Sequence, residues 1–352
     1  MNLAVDVREA CRSQRAGKGQ WTYGLVSELL RREQELILLC DSPLPSEWEQ
    51  YSPKTKTFRS GVLWHVRAFL YFVGLKQPSM YVSLTSFIVP FFLPKKYLCI
   101  PVVHDLIAFR PDIHNKKATI IERLLAKGAL RKAAHILTVS TSTKNDLLKQ
   151  FPSLSETAIT PIFAGPVRES AAVSESNENM ILCVATLSPR KNQYRLLQAY
   201  ASLPENLRKK YKLVLAGGRG WNDNNIVRLA QETDGADFIG YIDEQQYRDL
   251  LHSCAVLALP SLYEGFGMQV LDALQRGVPV LTSDRGSLSE VAGDSALLVD
   301  PEDVRSIASG LSTILTNESV RSRLRTQGPV QAGTFSWKRT ADLFLNIVKV
   351  LQ

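Results

Sequence analysis

Much that would narrow the chemistry of this 352-residue chain is missing from it. Its five cysteines form no Cys-x-x-Cys pair and are odd in number. Cys40 and Cys183 fall inside the apolar runs "LILLC" and "MILCVA", where a free thiol behaves as a small core hydrophobe, so a reduced, cytoplasmic protein is expected. The opening "MNLAVDV" carries no basic segment followed by an apolar one, so no secretory leader is expected. The longest apolar stretch, "FIVPFFLP" at 87–94, is far short of the roughly 20 residues needed to cross a bilayer. Neither half opens with Gly-x-Gly-x-x-Gly between strand and helix, which disfavours a dinucleotide-dependent dehydrogenase. No Asp-x-Asp pair offers a metal seat, and no nucleic-acid-binding motif accompanies the positive charge.

What is present is ordinary globular composition, 45% hydrophobic and 22% charged, in a chain too long for one typical core. The formal net charge of +8 is unevenly spread. Residues 1–165 hold 22 Lys and Arg against 13 Asp and Glu, while residues 166–352 hold 20 against 21. The N-terminal half is therefore the one suited to an anionic partner.

Short continuous apolar runs recur in both halves. "LAVDV", "ELILLC", "MYVSL", "LCIPVVHDL" and "HILTVS" come first, then "MILCVATL", "KLVLAGG", "ADFIGYI", "VLALP", "VPVLTS" and "ALLVD". Continuous rather than alternating runs suit parallel strands buried on both faces. Amphipathic stretches lie between them, with Ser142 and Asp243 as expected N-caps. The expected fold is α/β, with two Rossmann-like doubly wound domains facing across a cleft. The polar, Gly/Pro/Ser-containing stretch 163–180 reads as a linker. The expected division is an N-terminal domain over 1–165, a C-terminal domain over 166–335, and a last helix over 336–352 packing back on the first domain.

The stretch "PSLYEGFGMQVLDALQRGVPVL" sets Glu264 before a Gly265-Phe266-Gly267 turn and places Asp272 inside the following helix. A carboxylate accepts two hydroxyl protons at once, and a glycine-rich turn at a helix N-terminus is a natural anion seat. The bland alternative is one capping carboxylate and one solvated carboxylate. "SPRKN" puts Arg190 and Lys191 just past a strand, a place suited to phosphate, or else to two solvated cations. "AGKG" sets Gly17 and Gly19 at the start of a helix, where backbone can approach a ligand closely. His104 ends the strand "VVHDL", either as a site residue or as a satisfied structural one.

Taken in order, "VATLSPRKN", "LVLAGGRGW", "FIGYI", "PSLYEGFGMQVLDAL", "GVPVLTS" and "SLSEVAGDSALLVDPED" resemble the retaining glycosyltransferases of family 4, with the GT-B architecture. The likeness is to their mannosyltransferase-like bacterial branch. It implies a nucleotide-sugar donor, GDP-mannose favoured over UDP-sugars, with no further cofactor and no metal. It also implies roles for single residues. Glu264 would hold sugar hydroxyls; Gly265, Phe266, Gly267 and Met268 would line the donor. Asp272 would take the ribose diol, where the family usually has Glu. Lys191 would bind the diphosphate. Many members carry an Arg five residues before that lysine; here Thr186 stands there and Arg190 is the candidate replacement. Gly17 and Gly19 would touch the donor, and His104 would lie near the sugar's hydroxymethyl side. Glu290 would flank the pocket, with a structural cap as the alternative. Tyr241 would meet the base, or else be a core tyrosine.

The catalytic set implied is Glu264, Arg190, Lys191 and His104, working by front-face substitution. The acceptor implied is a glycan or lipid-linked glycan in surface polysaccharide assembly. "KTKTFRS", "PKKYL" and "NKK" suit peripheral contact with the inner face of the cell membrane. "FIVPFF" would either aid that contact or form sheet core. Two other readings stay open: a donor-binding protein without transfer, and a GT-B epimerase.

Overall fold

The computed structural model describes residues 2–61, 63–75, 79–110, 116–167 and 179–352. Residues 168–178 of the expected linker, and Asn115 of "NKK", lie outside the described residues. The chain divides into two units, Met1–Val167 with Phe335–Gln352, and Arg168–Thr334.

The first unit is built on a parallel sheet of β1 (Asn2–Asp6), β2 (Leu36–Cys40), β3 (Lys54–Thr57), β4 (Ser79–Ser83), β5 (Leu98–Val103), β6 (Ile136–Thr138) and β7 (Ile159–Pro161). Their spatial order is β3-β2-β1-β4-β5-β6-β7, so the winding reverses between β1 and β4. Central strands are buried on both faces, as their unbroken apolar sequences require; every residue of β2 is buried. β3 carries no such signal. It is the edge strand "KTKT", exposed along its whole length, and its lysines blunt the open edge against pairing with another chain.

The second unit has β8 (Met180–Val184), β9 (Lys212–Ala216), β10 (Ala236–Phe238), β11 (Val256–Leu259), β12 (Val280–Ser283) and β13 (Leu297–Val299), in the order β10-β9-β8-β11-β12-β13. All the pairings are parallel, and the reversal falls between β8 and β11. Ligands of such sheets bind beyond the carboxyl ends of the strands at this switch point.

Helix starts follow local chemistry. Asp243 caps Glu244–Ser253 in a reciprocal capping box with Gln246. The expectation of Ser142 as a cap needs correction. Ser140 is the cap of Thr141–Gln150, accepting from the Thr143 amide, and Ser142 lies inside the helix. Ser140 is the residue with extended backbone, φ −156° and ψ 163°, and only that geometry turns a side-chain oxygen onto the free amides of the first turn.

The last helix, Trp337–Leu351, belongs to the first unit. Ser336 caps it, and Thr340, Ala341, Phe344 and Val348 form its buried stripe. Burying Phe344 and Val348 contributes about 2 kcal/mol each. Trp337 packs edge-on against Trp21, with centroids 6.1 Å apart, and its Nε1–H donates to the Pro166 carbonyl at 2.8 Å. Arg32 adds an ion pair to Asp342.

Candidate functional site

At the switch point of the second sheet, the loop after β8 meets the loop after β11. The first of these loops is a single 3-10 turn, Pro189–Lys191, that ends in Asn192 at φ 61°. Asn192 is buried and donates through Nδ2 to the carbonyls of Pro260 at 2.9 Å and Pro301 at 2.7 Å. Gln193 donates to the Thr186 carbonyl at 3.1 Å. The Leu262 amide donates to the Arg190 carbonyl at 2.8 Å. These bonds fix the turn to the neighbouring strand ends, so Arg190 and Lys191 cannot drift into solvent.

They converge on Glu264. Lys191 Nζ donates to its Oε1 at 2.5 Å, and Arg190 Nη1 donates to its Oε2 at 2.6 Å. The same Arg190 nitrogen reaches the Tyr263 carbonyl at 2.8 Å. Glu264 is 7% exposed and Lys191 8%, so neither is a solvated surface charge. Burial by itself would raise the Glu264 carboxyl, but the Arg190 and Lys191 charges outweigh it and hold the group at about 2. Burial pulls the Lys191 ammonium down, with Glu264 acting against that. The cluster is a buried carboxylate clamped by two consecutive cations that follow the neighbouring strand.

The backbone of Glu264 is held as firmly. Its carbonyl accepts from the Ser287 amide and from Ser287 Oγ, both at 3.2 Å. Gly286 sits against that carbonyl with φ 62°; a Cβ there would come within 2.4 Å of the oxygen. Three residues on, Gly267 takes φ 101° and opens the helix Met268–Gln275, which no side chain caps. The helix therefore turns its first amides and its positive dipole end toward the Glu264 loop. Phe266 and Met268 are buried beside the turn.

Asp272 is not a solvated carboxylate either: it is 1% exposed, and Tyr247 donates its hydroxyl to Oδ2 at 3.0 Å. Burial first, and then the Asp272 charge, raises the Tyr247 phenol well above its ordinary value. Arg276 donates to the Asp272 backbone carbonyl at 3.1 Å. Glu290 is half-buried on the short helix Leu288–Ala292, and its carbonyl accepts from Gln331 at 3.5 Å. Tyr241 is 51% exposed past the end of β10, so it is not a core tyrosine.

The remaining predicted residues belong to the first unit. Gly17 and Gly19 begin the helix Gly17–Arg31. Gly17 has open space around its α-carbon, whereas Gly19 is pressed against the Glu9 carbonyl. His104 follows β5; its ring stands edge-on to Trp21 at 5.1 Å, and Nε2 lies 2.7 Å from the Leu84 carbonyl. Because a carbonyl only accepts, Nε2 carries the proton and Nδ1 is left as an acceptor. Burial, reinforced by the Lys18 charge, lowers the imidazole to about 4, so it is neutral at physiological pH.

Residues 168–331 match the family model described as "Glycosyl transferases group 1". The O-antigen chain mannosyltransferase B of Escherichia coli is 31% identical over 280 residues, which cover 74% of this chain and 73% of that protein. This chain belongs to the group 1 glycosyltransferases.

The serotype-specific mannosyltransferase WbdA of E. coli is 29% identical over 276 residues, which cover 71% of this chain but only 33% of WbdA. Solved structures carry the fold. A sucrose-phosphate synthase from Thermosynechococcus elongatus superposes with a TM-score of 0.82 at 20% identity, covering 100% of this chain and 99% of that one. Anabaena Alr3699/HepE, solved with UDP and glucose, gives 0.78 at 14% identity, covering 99% of each chain. The glycosyltransferase thus has the GT-B fold.

Sequence reasoning singled out Glu264, Arg190 and Lys191, and in the structure they form one cluster. It missed Tyr247, Asn192 and Ser287. Tyr247 had no signal beyond a place in an amphipathic helix. Asn192 could have been suspected from "KNQ" at a strand-to-helix junction, since Asn is the residue that most readily takes the left-handed conformation after glycine.

Proposed function

We propose that this glycosyltransferase moves a mannosyl group from GDP-mannose to a glycan or lipid-linked glycan acceptor, with retention at the anomeric carbon and without a metal ion, in surface polysaccharide assembly. The observation that carries the reading is the Glu264 carboxylate clamped by Arg190 and Lys191 at the switch point of the second sheet. The likeness to the O-antigen mannosyltransferase supports the choice of sugar and pathway.

In this reading the donor's diphosphate draws on Arg190 and Lys191, and on the amides at the Gly267 helix start. Glu264 takes sugar hydroxyl protons in hydrogen bonds, and Asp272, steadied by Tyr247, faces the ribose. As the bond from the anomeric carbon to the phosphate oxygen breaks, charge grows on that oxygen, and fixed cations stabilise it without reorganising. The acceptor hydroxyl attacks on the face the phosphate leaves, and its proton passes to the departing phosphate oxygen. A carboxylate held at about 2 is a weak base at neutral pH, so Glu264 positions the sugar rather than taking that proton. Tyr241 offers an exposed ring for the base, and in the first unit Gly17, Gly19 and the bare Nδ1 of His104 offer groups suited to a hydroxylated ligand. Glu290 flanks the pocket. The protein works at the cytoplasmic side of the membrane, in peripheral contact with it.

Calorimetric titration with GDP, UDP, ADP and dTDP, followed by turnover of the matching sugar nucleotides, tests this. Selective binding of GDP with release or transfer of mannose is expected. Selective binding of UDP would overturn the choice of donor, and absence of nucleotide binding would overturn the site.

A further inference from the structure

Three helices of the first unit leave large apolar side chains uncovered. Trp64–Val73 turns Trp64, Ala68 and Phe72 into the core and exposes Leu63, just before it, with Val66 and Leu70. That is one outward stripe at helical spacing, with Leu70 58% exposed. Ile88–Phe92 buries Val89 and Pro90 and leaves Phe92 at 61%. Lys116–Leu130 exposes Ile120 and Leu124, and the same outward line continues through Lys127 and Arg131.

These helices lie on the same face of the sheet. Each belongs to a connection that moves from β3 through β4 and β5 to β6, toward the β7 edge, and right-handed crossovers in one direction place their helices on one side. Packing agrees. Trp64, Ala68 and Phe72 share a core cluster with Val89 and Leu93. The Phe91 ring lies on Gly128 of the third helix, which brings the exposed Phe92 beside it. The expectation for "FIVPFF" thus divides by residue: Val89 belongs to the core, and Phe92 to the surface.

The exposed charge named along this apolar strip is positive. Arg67, Lys95, Lys96, Lys127 and Arg131 are exposed along it, and Lys56 stands over the Tyr71 ring at 5.6 Å. Among the described side chains of the three helices the carboxylate is Glu122, which is half-buried. Scattered single hydrophobes need no explanation, but a row of them rimmed by cations does. A second copy of the chain fits poorly. A two-fold interface would set this row of lysines and arginines against itself, with only the half-buried Glu122 among the described side chains of the three helices to answer them. No described helix is long and apolar enough to cross a membrane.

We infer that this face, centred on Leu70, Phe92 and Leu124, lies on an anionic phospholipid bilayer, its apolar side chains in the headgroup boundary and its lysines and arginines among the phosphates. The inference rests on the reading of a membrane-linked acceptor and locates the surface that serves it. Apolar burial and cationic attraction act together in such attachment, which makes it reversible and salt-sensitive.

The test is flotation of the full chain with vesicles of phosphatidylglycerol and phosphatidylcholine, against phosphatidylcholine alone, at roughly 0.1 M and 1 M salt. Binding to the anionic vesicles that weakens at high salt is expected. Replacing Leu70 and Leu124 together by Glu is expected to lower it by on the order of tenfold or more, as is Lys95→Ala with Lys96→Ala. These positions are exposed, so the melting temperature and GDP binding should not change, and donor hydrolysis in solution reports separately on the transferase reading. Vesicle binding by a chain that hydrolyses no donor would sink that reading and leave the surface standing. Failure to float with anionic vesicles, or flotation unaltered by the double Glu change, would overturn the surface. So would light scattering that shows a dimer which Leu70→Glu dissociates, since the face would then belong to a second copy.

Discussion

Replacing Glu264 by Gln keeps the shape of the side chain and removes its charge. In the native protein that charge answers two cations at 2.5 and 2.6 Å. Two unit charges about 4 Å apart interact by about 4 kcal/mol at an effective dielectric of 20. Removing one partner of a buried pair typically costs 3–5 kcal/mol, because the remaining charge stays desolvated. Here two like charges remain, one of them on Lys191, already pulled down by burial. For a domain of this size each kcal/mol moves the melting temperature by roughly 2–4 °C, so the second unit of the variant should melt about 10 °C lower.

Nucleotide diphosphate should then restore more than it does in the native protein, since its phosphates supply the missing counter-charge. A ligand at a hundredfold excess over Kd adds about 2.7 kcal/mol, and the variant's gain in melting temperature on adding GDP should exceed the native one. Turnover should fall by about 10²–10³, the scale on which a lost polar contact in the transition state is felt. Scanning calorimetry with and without GDP, and a coupled assay of GDP release, give both readouts. A lower melting temperature with near-normal turnover would reduce Glu264 to a structural counter-ion. No change in either would refute the reasoning about the clamp.

Three further outcomes are expected. His104 is held at about 4, below its ordinary 6.5. Its favourable contribution to stability is therefore present above pH 6.5 and lost as the pH falls toward 4, where the folded ring must charge; turnover of the native enzyme should show no inflection near 6.5 that disappears in His104→Gln. Tyr247→Phe removes the hydroxyl that donates to Asp272 and should cost about 1–3 kcal/mol in the melt. It should also raise the donor KM with little change in kcat if Asp272 meets the ribose, whereas a shift in stability alone would make the pair structural. Gly286→Ala forces a side chain into a left-handed backbone against the Glu264 carbonyl, and should lower both melting temperature and turnover; wild-type behaviour would show that the Glu264 loop tolerates displacement.

Much of the architecture was legible in the residues themselves. Unbroken apolar runs such as "LILLC" and "VLAL" can hide their side chains only in strands covered on both faces, and those strands form parallel sheets here. The Asp243 capping box is local chemistry, complete within four residues. Where two neighbouring serines competed for a cap, as at Ser140 and Ser142, the composition was the same and only the backbone decided.

The site itself was legible by type but not by partnership. Carboxylate, glycine turn and cation pair could be named from "EGFG" and "PRKN", yet nothing local says that Glu264 is clamped from 73 positions away. That pairing exists because β11 lies beside β8 rather than beside β10, its predecessor in the chain. Strand order is chosen by crossover handedness and by which faces bury best, which no window of residues contains. Tyr247 on Asp272, Asn192 on Pro260 and Pro301, and the alignment of Leu70, Phe92 and Leu124 on one side of the first sheet arise in the same way. The sequence by itself determined which elements form and which chemical groups stand at their ends; the tertiary structure decided which groups meet, because meeting depends on packing across the sheet and not on distance along the chain.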